Sequence, residues 1–288
     1  VNMSIIQSKF GKQGWYPNSR QSLIDYIRHT LPNENVVNQD NCISVVVCPH
    51  AGYQYCGDII ADVLGSTCHQ TYKRIVILST NHYLSINNQI IVPSADRLET
   101  ELGFMDIDTS ACHSLLDSSY FVVDDQGIKN EHGVWMSLPM LQVLHPNTPV
   151  LPMVVTHLNI NDITAISDMI SYLIDDSLLL ISGDFTHYGA AFNYTPFDHA
   201  IADSIKKIDD QALTYILNND FDGFWGWITT YHHTICGQMP LGLMLHMIRS
   251  ENMNVDKLIY RQSAQLSQDW NQSVSYVGIT INKSIDHD

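Results

Sequence analysis

A chain of 288 residues is long enough to bury a full core, and its 45% hydrophobic and 15% charged content is that of an ordered globular protein, not a disordered one. A formal net charge of −16, with Lys206-Lys207 as the densest basic pair, argues against nucleic acid as a partner, since phosphate tracking needs clustered Lys and Arg. No apolar run reaches bilayer-spanning length, so no membrane helix is expected; residues 1–9 lack the order of a signal peptide, so the expected compartment is cytoplasmic.

The spacing predicts a helix over residues 20–29 and then a buried parallel strand over 43–48. That strand feeds Pro49-His50-Ala51-Gly52-Tyr53-Gln54-Tyr55-Cys56-Gly57, with Gly52 and Gly57 as turn residues before a helix over 58–64. An α/β sheet places ligands outside the carboxyl ends of its strands, which makes His50 a ligand candidate. Taken alone, His50 fits a hydrogen-bonded core histidine equally well. The next strand, 74–79, ends in Thr80-Asn81-His82-Tyr83. Neighbouring parallel strands lie about 5 Å apart, so His82 can share a centre with His50, although by itself it reads as a surface-loop histidine.

A strand over 89–92 is followed by Glu131-His132 and a helical pattern over 134–144. Glu131 suits a helix start through the dipole, and His132 suits either a pocket or a local cap. Beyond a strand at 150–155 and a helix at 162–173, the buried run 178–182 ends in Gly183-Asp184-Phe185-Thr186-His187-Tyr188-Gly189. Asp184 and His187, three apart, face the same way on a turn or first helical turn. That pairing suits a metal ligand, a ligand-orienting pair, an acid–base pair or an N-cap.

After a helix over 200–217, Tyr231-His232-His233-Thr234-Ile235-Cys236-Gly237 leads into a helix over 241–248, and strands over 257–262 and 274–281 close the chain. A thiol at a helix N-terminus is expected to have a lowered pKa, making Cys236 a ligand or nucleophile; a buried inert cysteine is the plain alternative. The six cysteines show no CxxC spacing and are expected as free thiols, with Cys42 and Cys48 as packing residues. The alternation predicts an α/β fold: one domain, residues 1–288, with a mainly parallel or mixed central sheet flanked by helices.

These segments in this order resemble the Memo family, also called AmmeMemoRadiSam system protein B. The likeness begins at Gly14-Trp15-Tyr16-Pro17 and continues through the Pro49–Gly57 run, Asn81-His82, and Glu131-His132 with Leu138-Pro139-Met140-Leu141-Gln142. It ends with Ser182-Gly183-Asp184-Phe185-Thr186-His187-Tyr188-Gly189 and Ile235-Cys236-Gly237. The resemblance implies a fold similar to class III extradiol (LigB-type) dioxygenases. It also implies metal ligands at His50, His82 and Cys236 with Asp184 and His187 beside them as acid–base groups, and Tyr53, Tyr55, Glu131 and His132 as pocket residues. Iron or copper is the implied metal, with zinc as a further option; the system name implies a radical-SAM partner. Two departures stand out. Tyr83 follows His82 where the family usually has a second histidine, and Trp135 stands where it usually has a carboxylate.

Two imidazoles and a thiolate suit copper, ferrous iron or zinc better than magnesium or calcium. The leading expectation is a metal-dependent redox protein or oxidoreductase of unknown substrate. A non-catalytic module that binds a small molecule or peptide in the same pocket is a second. A Cys236 nucleophile activated by His50 or His187 is a third. Ordinary LigB-type cleavage is less favoured, because Cys236 takes the place of the expected carboxylate.

Overall fold

The computed structural model describes residues 3–32 and 42–283. In chain order the elements are β1 (Ile5–Gln7), α1 (Arg20–Thr30), β2 (Ile43–Cys48), α2 (Tyr53–Gly65), β3 (Ile75–Thr80), β4 (Ile90–Val92), β5 (Arg97–Thr100) and β6 (Gly103–Asp106). There follow α3 (Thr109–Leu115), β7 (Phe121–Val123), α4 (Asp125–Asn130), α5 (His132–Trp135), α6 (Leu138–Leu144), β8 (Val150–Val155), α7 (Ile160–Ser171), β9 (Leu178–Ser182) and β10 (His187–Gly189). The last are α8 (Ile201–Leu217), α9 (Phe221–Thr230), α10 (Gln238–Ile248), β11 (Met253–Gln262), α11 (Ala264–Ser267) and β12 (Gln272–Lys283).

Four parallel strands in the order β2-β9-β3-β8 form the centre of the main sheet. Antiparallel β12 flanks them on one side, with β10 and β11 paired to it, and antiparallel β4, with β7 beyond it, on the other. Strands β3, β8 and β9 are buried at every position, as their near-continuous apolar runs require when helices cover both faces. Helix α2 packs on β2 and β12, with α1 and α6 beside it; α10 packs on β3 and β9, with α7 and α9 beside it. The fold is the expected mixed α/β sheet flanked by helices, and no helix among the described residues is long and apolar enough to cross a membrane.

Several boundaries differ from expectation for local reasons. Helix α2 begins at Tyr53, five residues early, because Gly57 sits inside the helix; a Cβ there would collide with the Tyr26 hydroxyl, so the glycine marks close packing, not a turn. The pattern over 134–144 is two short helices, α5 and α6, with Pro139 in the first turn of the second, where it needs no intrahelical donor. Strands β1, β5 and β6 form a separate three-stranded sheet that the sequence pattern had not shown. They are only three or four residues long, and an alternation so short carries little signal.

Candidate metal centre

Strand order decides what meets at the carboxyl edge of the sheet. Strands β2 and β3 are not neighbours, as the sequence had suggested; β9 lies between them. His50 follows β2, Asp184 follows β9 and His82 follows β3, so one edge presents all three. The imidazoles close the two-strand gap themselves, with the rings of His50 and His82 at 5.0 Å between centroids. His132, at the start of α5, completes a triangle, 4.7 Å from His50 and 4.4 Å from His82. Cys236 arrives from the loop before α10 and sets its sulfur 3.2 Å from His50 Nε2.

Hydrogen bonds fix which nitrogen each ligand candidate offers. The Ser182 hydroxyl donates to Gly133 O at 2.6 Å, so toward His50 Nδ1, 3.1 Å away, it can only accept. The proton therefore sits on Nδ1, and His50 Nε2 keeps its lone pair facing Cys236. His82 donates from Nδ1 to Glu131 Oε1 at 2.8 Å and from its backbone N–H to Oε2 at 2.9 Å, which leaves Nε2 free. One donor atom each from His50, His82 and Cys236 lies within 4.8 Å of the other two. A carboxylate behind a histidine and a hydroxyl behind another are the supports that orient imidazoles toward a metal.

His82, Glu131 and His132 form a second group within the same limit. Glu131, however, already accepts three N–H bonds, the third from Gly133 at 3.2 Å, so its oxygens serve the protein backbone and His82. Glu131 thus caps the start of α5, as a helix-start acid does, and also orients His82. His132 turns Nδ1 to the Tyr83 hydroxyl at 3.0 Å and lies against the Trp15 ring at 4.8 Å.

Burial sets the electrostatics. Desolvation, aided by neighbouring imidazoles, holds His50 well below the ordinary histidine range and His132 at about 3. Burial lowers His187 as well, and pushes Asp184 up to about 7. Cys236 reverses the sequence expectation. It precedes α10, but burial, reinforced by the Asp184 charge, pushes its thiol up, so the metal-free group is a neutral S–H. The helix start is outweighed because the sulfur sits between an imidazole and a carboxyl group out of water.

Asp184 and His187 do not share a helical turn. The chain between them is irregular, and His187 opens β10. Asp184 Oδ1 accepts the His50 backbone N–H at 2.9 Å, while Oδ2 stays 4.0 Å from His50 Nε2. His187 donates from Nδ1 toward Phe185 O and Thr234 O, each at 2.9 Å. The tyrosines are placed differently from expectation. Tyr53 is buried in the core between Tyr16 and Tyr26, with its hydroxyl on Met136 O at 2.9 Å. Tyr55 lines a groove of about 460 Å³ with Trp15, Ala51, Gly52 and Tyr276, beside the imidazole cluster instead of in it. Trp135 is fully buried with its indole N–H on Ile128 O, so this position belongs to the core.

Sequence reasoning missed Ser182, Thr80 and Trp15. Thr80 Oγ1 donates to Cys236 O at 2.7 Å, and Trp15 O accepts the Tyr53 N–H at 2.7 Å, which holds the tryptophan beside His132. Their positions at the ends of strands and in the Gly14–Pro17 element were the available signal. Gly183 and Gly237 meet where the β9 end crosses the Cys236 loop; a Cβ on Gly183 would lie 2.5 Å from Gly237 Cα.

The model of the Memo-like protein family matches residues 12–280. This chain belongs to the Memo-like family. Relatives within it include the MEMO1 family protein MHO1 of Saccharomyces cerevisiae, 27% identical over 91% of this chain and 94% of that protein. Protein MEMO1 of Homo sapiens is 30% identical over 80% of this chain and 82% of its own length. Among solved structures, uncharacterized protein JW3007 from Escherichia coli K12 is similar at a TM-score of 0.49 and 11% identity, covering 82% of this chain and 98% of that one, a likeness too loose to bear on the site.

Proposed function

We propose that this Memo-like chain holds an iron or copper ion on His50, His82 and Cys236 and works as a metal-dependent redox protein or oxidoreductase. The observation that carries the reading is the convergence of two imidazoles, each with Nδ1 committed to an oxygen acceptor and Nε2 left open, on one thiol within 4.8 Å. Burial keeps the His50 imidazole uncharged, as ligation requires. The set of nitrogen and sulfur donors matches borderline and soft transition metals. Such an ion, when bound, supplies one-electron chemistry at this point. The chain supplies Asp184, an acid–base group titrating near neutrality, and His187, fixed by two carbonyls with Nε2 available. The extradiol alternative has less support, because the Cys236 thiol joins His50 and His82 in the donor set and the Glu131 carboxylate is occupied by three N–H groups.

The test is metal analysis of protein purified anaerobically without an affinity tag. Near-stoichiometric iron or copper is expected, lost in His82→Ala and Cys236→Ser. Redox-inert zinc in the same place would remove the redox part of the reading. A wild-type protein that refuses Fe(II), Cu(I) and Zn(II) but binds a ligand beside His50 would replace it with the binding-module reading.

A further inference from the structure

Asp209 lies on α8, outside the donor set, and is fully buried. Burying a carboxylate is costly, and among the described residues no lysine, arginine or histidine side chain hydrogen-bonds to this one. Its Oδ1 accepts both the backbone N–H of Thr186 at 3.1 Å and the Thr186 hydroxyl at 2.7 Å, while Oδ2 accepts the Tyr260 hydroxyl at 2.7 Å. An apolar residue would fill the same space on α8 more cheaply. The carboxylate therefore serves what it holds, and Thr186 lies between Asp184 and His187.

The segment from Asp184 to His187 is in turn the frame for Cys236, which stands in neither a helix nor a strand. The Asp184 N–H donates to Cys236 Sγ at 3.1 Å, and the Gly237 N–H donates to Asp184 O at 3.3 Å. One step along, the His187 N–H donates to Thr234 Oγ1 at 3.0 Å, and the Thr234 hydroxyl returns a bond to His187 O at 2.6 Å. On the other side Phe185 and Thr186 are laced to Ser275 of β12 through Phe185 N–H to Ser275 O, 2.8 Å, and Ser275 N–H to Thr186 O, 2.9 Å. The Thr80 bond, the Gly183–Gly237 contact and the thiol's own contacts to His50 Nε2 at 3.2 Å and Asp184 O at 3.5 Å add to these ties.

We infer that Asp209 is a positioning residue: by clamping Thr186 from behind, it holds the 184–187 segment against the 234–237 loop and so sets Cys236 facing His50. As a metal-ligand orienter this role rests on the proposed metal reading; as a clamp on the Cys236 loop it does not. The role is one of geometry; Asp209 touches neither the imidazoles nor the thiol.

Three variants test it: Asp209→Ala, which removes both acceptors; Asp209→Asn, which keeps one oxygen for Thr186; and Thr186→Val, which removes the hydroxyl and leaves the rest of the Asp209 network intact. The first readout is the rate of Cys236 alkylation by iodoacetamide in metal-free protein, followed by peptide mass spectrometry. Loss of hydrogen bonds to a charged acceptor is expected to raise that rate about tenfold in Asp209→Ala and Thr186→Val, with Asp209→Asn restoring it toward wild type. The second is titration with Co(II), in which the thiolate-to-metal absorption band is expected to weaken in the same two variants and return in Asp209→Asn. Equal alkylation rates in all four proteins would overturn the clamp. A wild type that alkylates as expected but shows no Co(II) band would overturn the metal reading and leave the clamp standing. Should Asp209→Ala fail to fold, Thr186→Val decides.

Discussion

Asp184→Asn isolates the cost of placing a carboxyl group among buried imidazoles and a thiol. Burial raises the Asp184 pKa from 3.8 to about 7 in the folded, metal-free chain, against the backbone N–H of His50, which pulls it down. At 1.36 kcal/mol per unit, the shift corresponds to about 4 kcal/mol. The folded value lies above the unfolded one, so this stabilisation is complete below about pH 4 and is lost as the pH rises through about 7. Asparagine keeps an oxygen for the His50 N–H and carries no charge at any pH. The variant and wild type should therefore differ little in relative terms at pH 4, and the variant should gain about 4 kcal/mol on wild type by pH 8. Buried histidines impose the opposite slope: His132 at about 3 and His145 and His233 at about 4 favour the fold as pH rises toward 6.5. They are common to both proteins and cancel in the difference. Urea unfolding in chelator and reductant, at unit steps from pH 4 to 8, measures it. A difference that stays constant across this range would refute the argument.

Glu131→Gln should weaken Co(II) or Fe(II) binding about tenfold to a hundredfold without unfolding the chain, as read by equilibrium dialysis and circular dichroism; unchanged affinity would mean that Glu131 does not orient His82. Gly183→Ala places a methyl group 2.5 Å from Gly237 Cα, where backbone cannot yield, so the thiolate-to-cobalt band should be lost; a band of normal strength would show that the crossing is looser than it stands here. Trp135→Ala empties a fully buried site and orphans Ile128 O, so a loss of about 3–5 kcal/mol is expected in denaturant melts, and a loss under about 1 kcal/mol would remove it from the core. Metal loading at pH 8 should release about one proton per chain, from the Cys236 thiol, detectable with an indicator in weak buffer; no release would exclude thiolate ligation.

The central strands were legible because each is a continuous apolar run, and the structure places β2, β8 and β9 at the residues expected. The identity of the residues that converge was legible too, since His50, His82 and Asp184 each close such a run. Their order across the sheet was not. Nothing in the sequence says that β9 inserts between β2 and β3, because strand neighbours depend on which crossovers pack, a property of the whole chain. The Cys236 titration was misread for a related reason. Position before a helix is visible in sequence, whereas desolvation by Asp184 and His50 comes from residues 52 and 186 positions away. Ser182 shows the same limit. As the last residue of an apolar run it looked like a boundary, but its hydroxyl decides the His50 tautomer through a carbonyl on α5.

The shifts around the site all run one way. His50, His132 and His187 are pushed toward the uncharged imidazole, while Asp184 and Cys236 are pushed toward the protonated, uncharged acid. A structural ion pair would have stabilised opposite charges instead, and among the described residues no lysine or arginine stands within ion-pair distance of these groups. A donor cluster that contains two suppressed acids, with His82 on its exposed side, is an arrangement that a dication would rearrange. Its arrival would favour exactly the deprotonations that burial disfavours, those of Cys236 and Asp184, and would leave the imidazoles as they are. The electrostatics therefore add an independent argument to the geometry, since a pocket built for an anion would need a fixed positive charge or an imidazolium, and every imidazole shift resolved in this cluster opposes one.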